Sequence, residues 1–192
     1  MAESDPGANF NTKSLSLRVQ KKVASKMSTK GVAKTLVDDT TAAILDHLHK
    51  LAKLEYTSKK DAEKLVKYIV KIVVKVGLLH RNDQFNAQEL KMQQQFQQKF
   101  HNVIMTAISF HEVDFTFDRD FLISQFQGLE DLLHKIVERH LRDKSQKRIV
   151  FIFDFFKKES FLDKLFASDG EYKAEMTEVT KLLNKLVEEG NV

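Results

Sequence analysis

What most constrains this chain is how little in it can stop a helix. Its 192 residues include one proline, Pro6, and six glycines, and no Asn-Gly or Pro-Gly pair follows residue 7. Strand-rich folds need turn residues between their runs, so the pattern predicts an all-α protein. The length suits one domain with a single sizeable core. The expected organisation is a disordered N-terminus over residues 1–11 and one helical domain over 12–190.

Periodicity places the helices. Leu15, Val19, Val23 and Met27 recur every fourth residue beside a row of Arg18, Lys22 and Lys26, which predicts a basic amphipathic helix over 13–28. A second helix is expected over 32–54, with Leu36, Ala43, Leu48, Leu51 and Leu54 on one side. Ser58 and Asp61 resemble a capping box that starts a third helix ending near His80. Within it, the β-branched run Tyr68–Val76 suits a strand by propensity alone. Helix is preferred because Lys60, Lys64, Lys67, Lys71 and Lys75 make one polar stripe on a helix, whereas a strand would mix Lys67, Lys71 and Lys75 with Ile69 and Val73 on one face. That stripe is read as solvated. Asn86 with Glu89 opens a further helix carrying Phe96, Phe100, Val103, Ala107 and Phe110. Asp118 caps the next, with Leu122, Phe126, Leu129, Leu133 and Ile136. Residues 145–156 end in a nearly continuous apolar run, a short piece spans about 160–167, and a last helix carries Met176, Val179, Leu183 and Leu186 before a stop at Gly190.

The net charge of +4 is unevenly placed. Residues 1–37 hold seven bases against two acids, while the remainder is one charge short of neutral on the acidic side. No acid lies between Asp5 and Asp38, although ordinary solvated helices mix signs. An anionic partner is therefore expected for this segment. Each base near an anionic leaflet gains about 1 kcal/mol, enough for four or five to hold a protein transiently. A membrane surface is preferred to a simply solvated face, and nucleic acid is set aside because aromatic interleaving and a recognised binding motif are missing. No stretch approaches the roughly 18 continuous apolar residues of a spanning helix. The first thirty residues lack a secretory apolar region. The expectation is a cytoplasmic protein, peripherally associated with membrane.

Signals for catalysis are thin. The chain has no cysteine, hence no thiol nucleophile, disulfide or thiolate metal site. It has no nucleophile elbow, phosphate-cradling glycine loop or zinc-protease pattern. His111, Glu112 and Asp114 form the most site-like cluster, read as hydrogen-bonded residues at a helix end and not as a metal site. Neither a cofactor nor a metal is expected. Arg81 ends the most apolar helix, where its cation faces either the carbonyl end of that helix or a ligand.

Several of these segments resemble one known family. They are Lys21-Lys22 followed by Ser25-Lys26-Met27, Leu36 through Thr41, Leu79-His80-Arg81-Asn82 then Phe85, Ser109 through Phe117, His140-Leu141 with Lys144-Ser145, and Val150 through Phe156. In order over residues 12–190, they are similar to the tumour necrosis factor-alpha-induced protein 8 family. The resemblance implies a single-domain bundle of six to seven helices around an elongated hydrophobic cavity. It implies phospholipids, phosphoinositides included, as ligands, with acyl chains inside and headgroups at a basic mouth. It also implies regulation of phosphoinositide signalling, inflammation and cell death, and protein partners such as small GTPases or other signalling proteins. Carried onto this sequence, Lys21, Lys22 and Lys26 meet the membrane and Arg81 and Lys99 stand at the mouth. Leu65, Ile69, Ile72, Val73, Val76, Phe100, Ile104, Leu133 and Phe153 are then candidates for the cavity lining. Gln97 stands where family members often carry a base, and the segment 157–172 departs from the family pattern. The rival expectation, from the residues alone, is a death-domain-like protein adaptor with a filled core, since filled cores are the norm.

Overall fold

The structure, a computed structural model, describes residues 39–190. The expected disordered N-terminus, the basic helix at 13–28 and the start of the helix at 32–54 lie outside the described residues. Seven helices follow in chain order: α1 Asp39–Glu55, α2 Lys59–Arg81, α3 Ala87–Glu112, α4 Arg119–Val137, α5 Asp143–Phe156, α6 Glu159–Leu165 and α7 Glu171–Glu188. Among the described residues there is no strand.

The helix starts show which sequence signals act. At α3 the capping box forms both ways: Asn86 Oδ1 accepts from the Glu89 amide and Glu89 Oε2 accepts from the Asn86 amide, each at 2.8 Å. At α4, Asp118 accepts from the Phe121 amide at 2.9 Å. The Ser58–Asp61 box does not form. Ser58 is the N-cap of α2, but its carbonyl, not its hydroxyl, meets the Asp61 amide at 3.0 Å. The β-branched run is helical throughout, because its lysine stripe separates faces only at a period of 3.6. The stripe itself is not solvated as expected: Lys64, Lys67, Lys71 and Lys75 are all half-buried. Gly190, at φ +69°, turns the chain just past α7 as a left-handed stop.

Helix neighbours close into a ring. α1 packs on α2, α2 on α5, α5 on α4, α4 on α3, α3 on α7, and α7 back on α1. The short α6 touches α4, α5 and α7 and covers one end. Tight connections at 56–58, 113–118 and 138–142 make successive neighbours antiparallel. The same is true of α2 and α5, since Lys75 near the end of α2 meets Ser145 near the start of α5, while Lys64 lies over Phe151 further along. The end away from α6 therefore gathers Arg81, the start of α3, the end of α4 and the start of α5.

The α6 end is filled with rings. Phe161 is fully buried and lies 4.3 Å from Phe155 between centroids, and Phe155 in turn stands 5.5 Å from Tyr56. Phe117 stacks on Phe166 at 4.8 Å. Leu65, Leu122 and Leu162 join this layer, and buried side chains continue along the bundle through Leu129 and Ile149 to Ile136 near the far end of α4. Each large side chain there removes about 1.5–3 kcal/mol worth of apolar surface from water. Phe161→Ala is expected to cost about 3–5 kcal/mol, read as a lower urea midpoint at unchanged slope. A cost near zero would show that this ring does not anchor α6.

Candidate functional site

The expected lining residues fall on α2, α3, α4 and α5. Leu65 and Ile72 on α2, Ile104 on α3 and Phe153 on α5 are buried. Ile69, Val76 and Leu133 pack against the core yet stay half-buried. Two of the expected lining residues do not point inward. Val73 is 55% exposed and Phe100 42% exposed. Both sit on apolar-rich arcs whose width hides which side faces in, so only packing decides.

Of the expected headgroup residues, Lys21, Lys22 and Lys26 lie outside the described residues. Arg81 is exposed at the last position of α2, at the end of the ring away from α6. Lys99 stands elsewhere. It is twelve residues into α3, about 18 Å from the start of that helix at 1.5 Å per residue. Its amine donates to Gln125 Oε1 on α4 at 2.9 Å. Its stem crosses α4 where Gly128 leaves room: a Cβ at Gly128 would collide with Lys99 Cε and come within 2.9 Å of its Nζ. Gln97 is exposed on the same helix.

Near Arg81 a buried carboxylate holds the ring together. Glu89 is 3% exposed and takes a bidentate guanidinium from Arg139, at 2.8 and 2.9 Å. His140 Nε2 approaches it at 3.2 Å, and the His140 ring stands edge-on to Phe85 at 5.1 Å. The Arg139 hydrogen bonds, working against the cost of burial and helped by the Asn86 amide and His140, hold this carboxyl down at about 2. The capping signal was legible in the sequence, but the partnership with Arg139 and His140 was not, since they lie fifty residues away with no spacing rule to link them. Glu130 plays a parallel part on α4, accepting from Lys157 at 2.5 Å. At the α6 end, Glu55 meets Lys158 and Lys164, and Tyr172 donates to it at 3.1 Å. Burial raises the Glu55 carboxyl, but the two lysines outweigh it and bring it below the usual range.

The cluster at the end of α3 is structural. His111 Nε2 meets Thr177 Oγ1 at 3.1 Å, and Glu112 accepts from Asn184 at 3.0 Å, so both tether α3 to α7. No group of three or more metal-binding side chains occurs among the described residues. In the following loop Phe115 is fully exposed at φ +63°, a left-handed conformation that costs a bulky residue about 1–2 kcal/mol. Beside it Met105, Phe110, Thr116 and Phe121 line an open groove of about 520 Å³. No helix among the described residues is long and apolar enough to cross a membrane.

Comparison with known proteins decides the lineage. The profile described as Tumor necrosis factor alpha-induced protein 8-like matches residues 10–190. The chain belongs to this family. It is 43% identical over 184 residues to tumor necrosis factor alpha-induced protein 8 of Gallus gallus, covering 95% of this chain and 97% of the relative. It is 43% identical over 183 residues to protein salivary glands marred of Drosophila melanogaster, covering 95% and 97%. To the human tumor necrosis factor alpha-induced protein 8 it is 41% identical over 184 residues, covering 95% and 92%. Among solved structures, the C terminal region of G-protein interacting protein 1 (Gip1) from Dictyostelium discoideum matches with a TM-score of 0.65 over 83% of this chain and 98% of that one, at 16% identity. At that identity the likeness concerns the fold. It agrees with the all-helical reading.

Two outcomes follow for a family member built this way. Glu89→Gln removes the carboxylate that Arg139 grips and is expected to cost about 1–3 kcal/mol at neutral pH. Because Glu89 is held down from 4.5 to about 2, its contribution is complete above about pH 4.5 and disappears as pH falls through 2. The urea midpoint of the native protein should fall as pH drops from about 4.5 to 2, and the variant should lack that component. Gly128→Ala should swing Lys99 away from Gln125 while raising helix propensity by at most about 1 kcal/mol. Unchanged vesicle binding by this variant would remove Lys99 from any part in headgroup contact.

Proposed function

We propose that this chain is a non-enzymatic phospholipid-binding regulator, with acyl chains inside the helix ring and phosphate held by bases around the end away from α6. The observation that carries this reading is the closed ring of six helices. In a regular ring with neighbouring axes about 8–10 Å apart, the centre would be equally far from every axis. Helices with side chains are about 5–6 Å in radius, so an elongated space about 2–5 Å in radius is left to fill. At the α6 end, rings and leucines fill it. Farther along, between the buried Ile72, Ile136 and Ile149, Ile69, Val76 and Leu133 remain half-buried on the core cluster, and they are the surface an alkyl chain would cover. Each methylene buried there would contribute about 0.8 kcal/mol. Phosphoinositides are the favoured class, because an anionic headgroup suits both Arg81 and the base-rich residues 1–37. Peripheral membrane association, and extraction or transfer of lipid in inflammatory and cell-death signalling, follow as the use of such a device.

A second reading is a protein adaptor with a filled core, answering to small GTPases or other signalling proteins. The run of buried side chains through Leu122, Leu129 and Ile149 favours it, as does the exposed apolar strip at Met105, Phe115 and Phe121.

Leu133→Trp separates the two. If the ring is hollow there, the larger ring enters open space, stability changes by less than about 1 kcal/mol, and native mass spectrometry shows less co-purified lipid than for the unaltered protein. If the core is filled, overpacking costs about 1–3 kcal/mol and no lipid is present in either protein.

A further inference from the structure

The seam where α2 lies along α5 gathers cations that nothing in the interior reading uses. On α2, Lys64, Lys67, Lys71 and Lys75 follow one another at three- and four-residue spacing; on α5, Lys144 and Arg148 share the face turned to them. Their antiparallel register is set by contacts at both ends. Lys75 donates to the buried Ser145 hydroxyl, and Lys64 Nζ stands 4.4 Å from the Phe151 centroid. Between them, the Tyr68 ring is flanked by Lys64 at 5.7 Å and by the Arg148 guanidinium at 5.3 Å, and meets Phe151 edge-on at 5.3 Å. The floor is aromatic and the walls are cationic.

An ordinary solvated stripe alternates signs, since like charges at i,i+4 oppose each other. Here α5 answers the lysines of α2 with more bases. Lys71 is pulled below the usual lysine range by burial, then by Arg148, Lys67 and Lys144, so each charged neighbour acting on it among the described residues is itself a base. Asp61 reaches only Lys64, at 3.9 Å. Arg148 Nε is buried without a hydrogen-bond partner in the described structure. With half-buried Lys67 and Lys71 and exposed Lys144 around it, and the Tyr68 ring as its neighbour, Arg148 stands in a seam short of negative charge.

We propose that the α2–α5 seam, centred on Lys67, Lys71, Lys144 and Arg148, binds an anion carrying two or more phosphates. The spacing argues for several phosphates over one. Lys67 and Lys71 are one helical turn apart, about 6 Å, and α5 supplies a second pair on the opposite wall, so a single phosphate cannot answer all four. The planar guanidinium of Arg148 gives one phosphate a bidentate grip while the lysines act as point charges on the others. The aromatic floor suits the apolar face of a polyol ring that carries them. The site lies along the outside of the ring and needs no cavity, so it stands or falls independently of the lipid-filled interior.

The test uses the full chain with inositol hexakisphosphate as probe and inorganic phosphate as control, read by calorimetry and by thermal midpoint. The hexakisphosphate should bind and raise the midpoint, with inorganic phosphate far weaker at equal concentration. Lys71→Gln and Arg148→Gln should each weaken binding about tenfold, as expected for losing one charge-assisted hydrogen bond, while Leu133→Trp leaves it unchanged. Without ligand, Lys71→Gln should melt no lower than the unaltered protein, because it relieves crowding among like charges. If Arg148→Gln fails to fold by circular dichroism, Lys67→Gln and Lys144→Gln take its place. Phosphatidylcholine vesicles with and without phosphatidylinositol bisphosphate identify the source. Seam-dependent binding to the phosphorylated vesicles that the soluble probe competes away assigns a lipid headgroup, and binding of the soluble probe alone assigns a free inositol phosphate. Equal affinity in all seam variants overturns the proposal, and so does seam-dependent binding of RNA that the hexakisphosphate does not displace.

Discussion

Six helices that close into a ring must fill the interior they enclose. That constraint organises this molecule. A four-helix bundle meets along its own axis and fills it with side chains from every member, whereas a ring of six helices has a wider interior to fill. Something has to occupy it. At one end the chain solves the problem itself, by turning α6 across the ring and driving Phe161 and Leu162 into a buried layer with Phe155. Away from that end Ile69, Val76 and Leu133 are half-buried beside the buried Ile72, Ile136 and Ile149, and the proposed acyl ligand would answer the remaining packing demand from outside the chain.

All seven helices contribute buried residues to one core cluster, and ties between them fix which become neighbours. Carboxylates supply them. Glu55, Glu89 and Glu130 are buried in side chain, and each is met by bases from a distant part of the chain. Glu55 and Glu89 sit at helix ends, and Glu130 lies within α4. A buried ion pair is a poor source of net stability, because desolvation offsets its attraction, but it disfavours any arrangement that separates its partners. His47 with Glu175, and His111 with Thr177, add ties that fasten α7 to α1 and to α3 and so close the ring.

The bases divide into two populations by what surrounds them. Arg139, Lys157, Lys158 and Lys164 are answered by carboxylates and serve the fold. Lys67, Lys71, Lys144 and Arg148 gather across α2 and α5 beside the Tyr68 ring, where like charges oppose one another and the proposed anion would relieve them. The same residue type, at the same helical spacing, thus reads as scaffold or as site only once the facing helix is known.

Much of the secondary structure was legible because it depends on neighbours in sequence. Scarcity of helix breakers, the Asn86–Glu89 box, the Asp118 cap and the lysine period that ruled out a strand at 68–76 all act within a few residues, and all hold. Ser58 misled because a hydroxyl competes with its own carbonyl for the first turn, and local sequence does not say which wins. The family lineage was legible for a different reason: the run from Ser109 to Phe117 and the aromatic core of α5 are specific strings. What lay beyond reach were facts about pairs of helices. The inward placement of Leu65 against the outward placement of Val73, the grip of Arg139 on Glu89, and the half-burial of the lysine stripe under α5 each depend on which element becomes the neighbour. Periodicity assigns a residue to a face of its own helix, but only ring closure in three dimensions determines what that face meets.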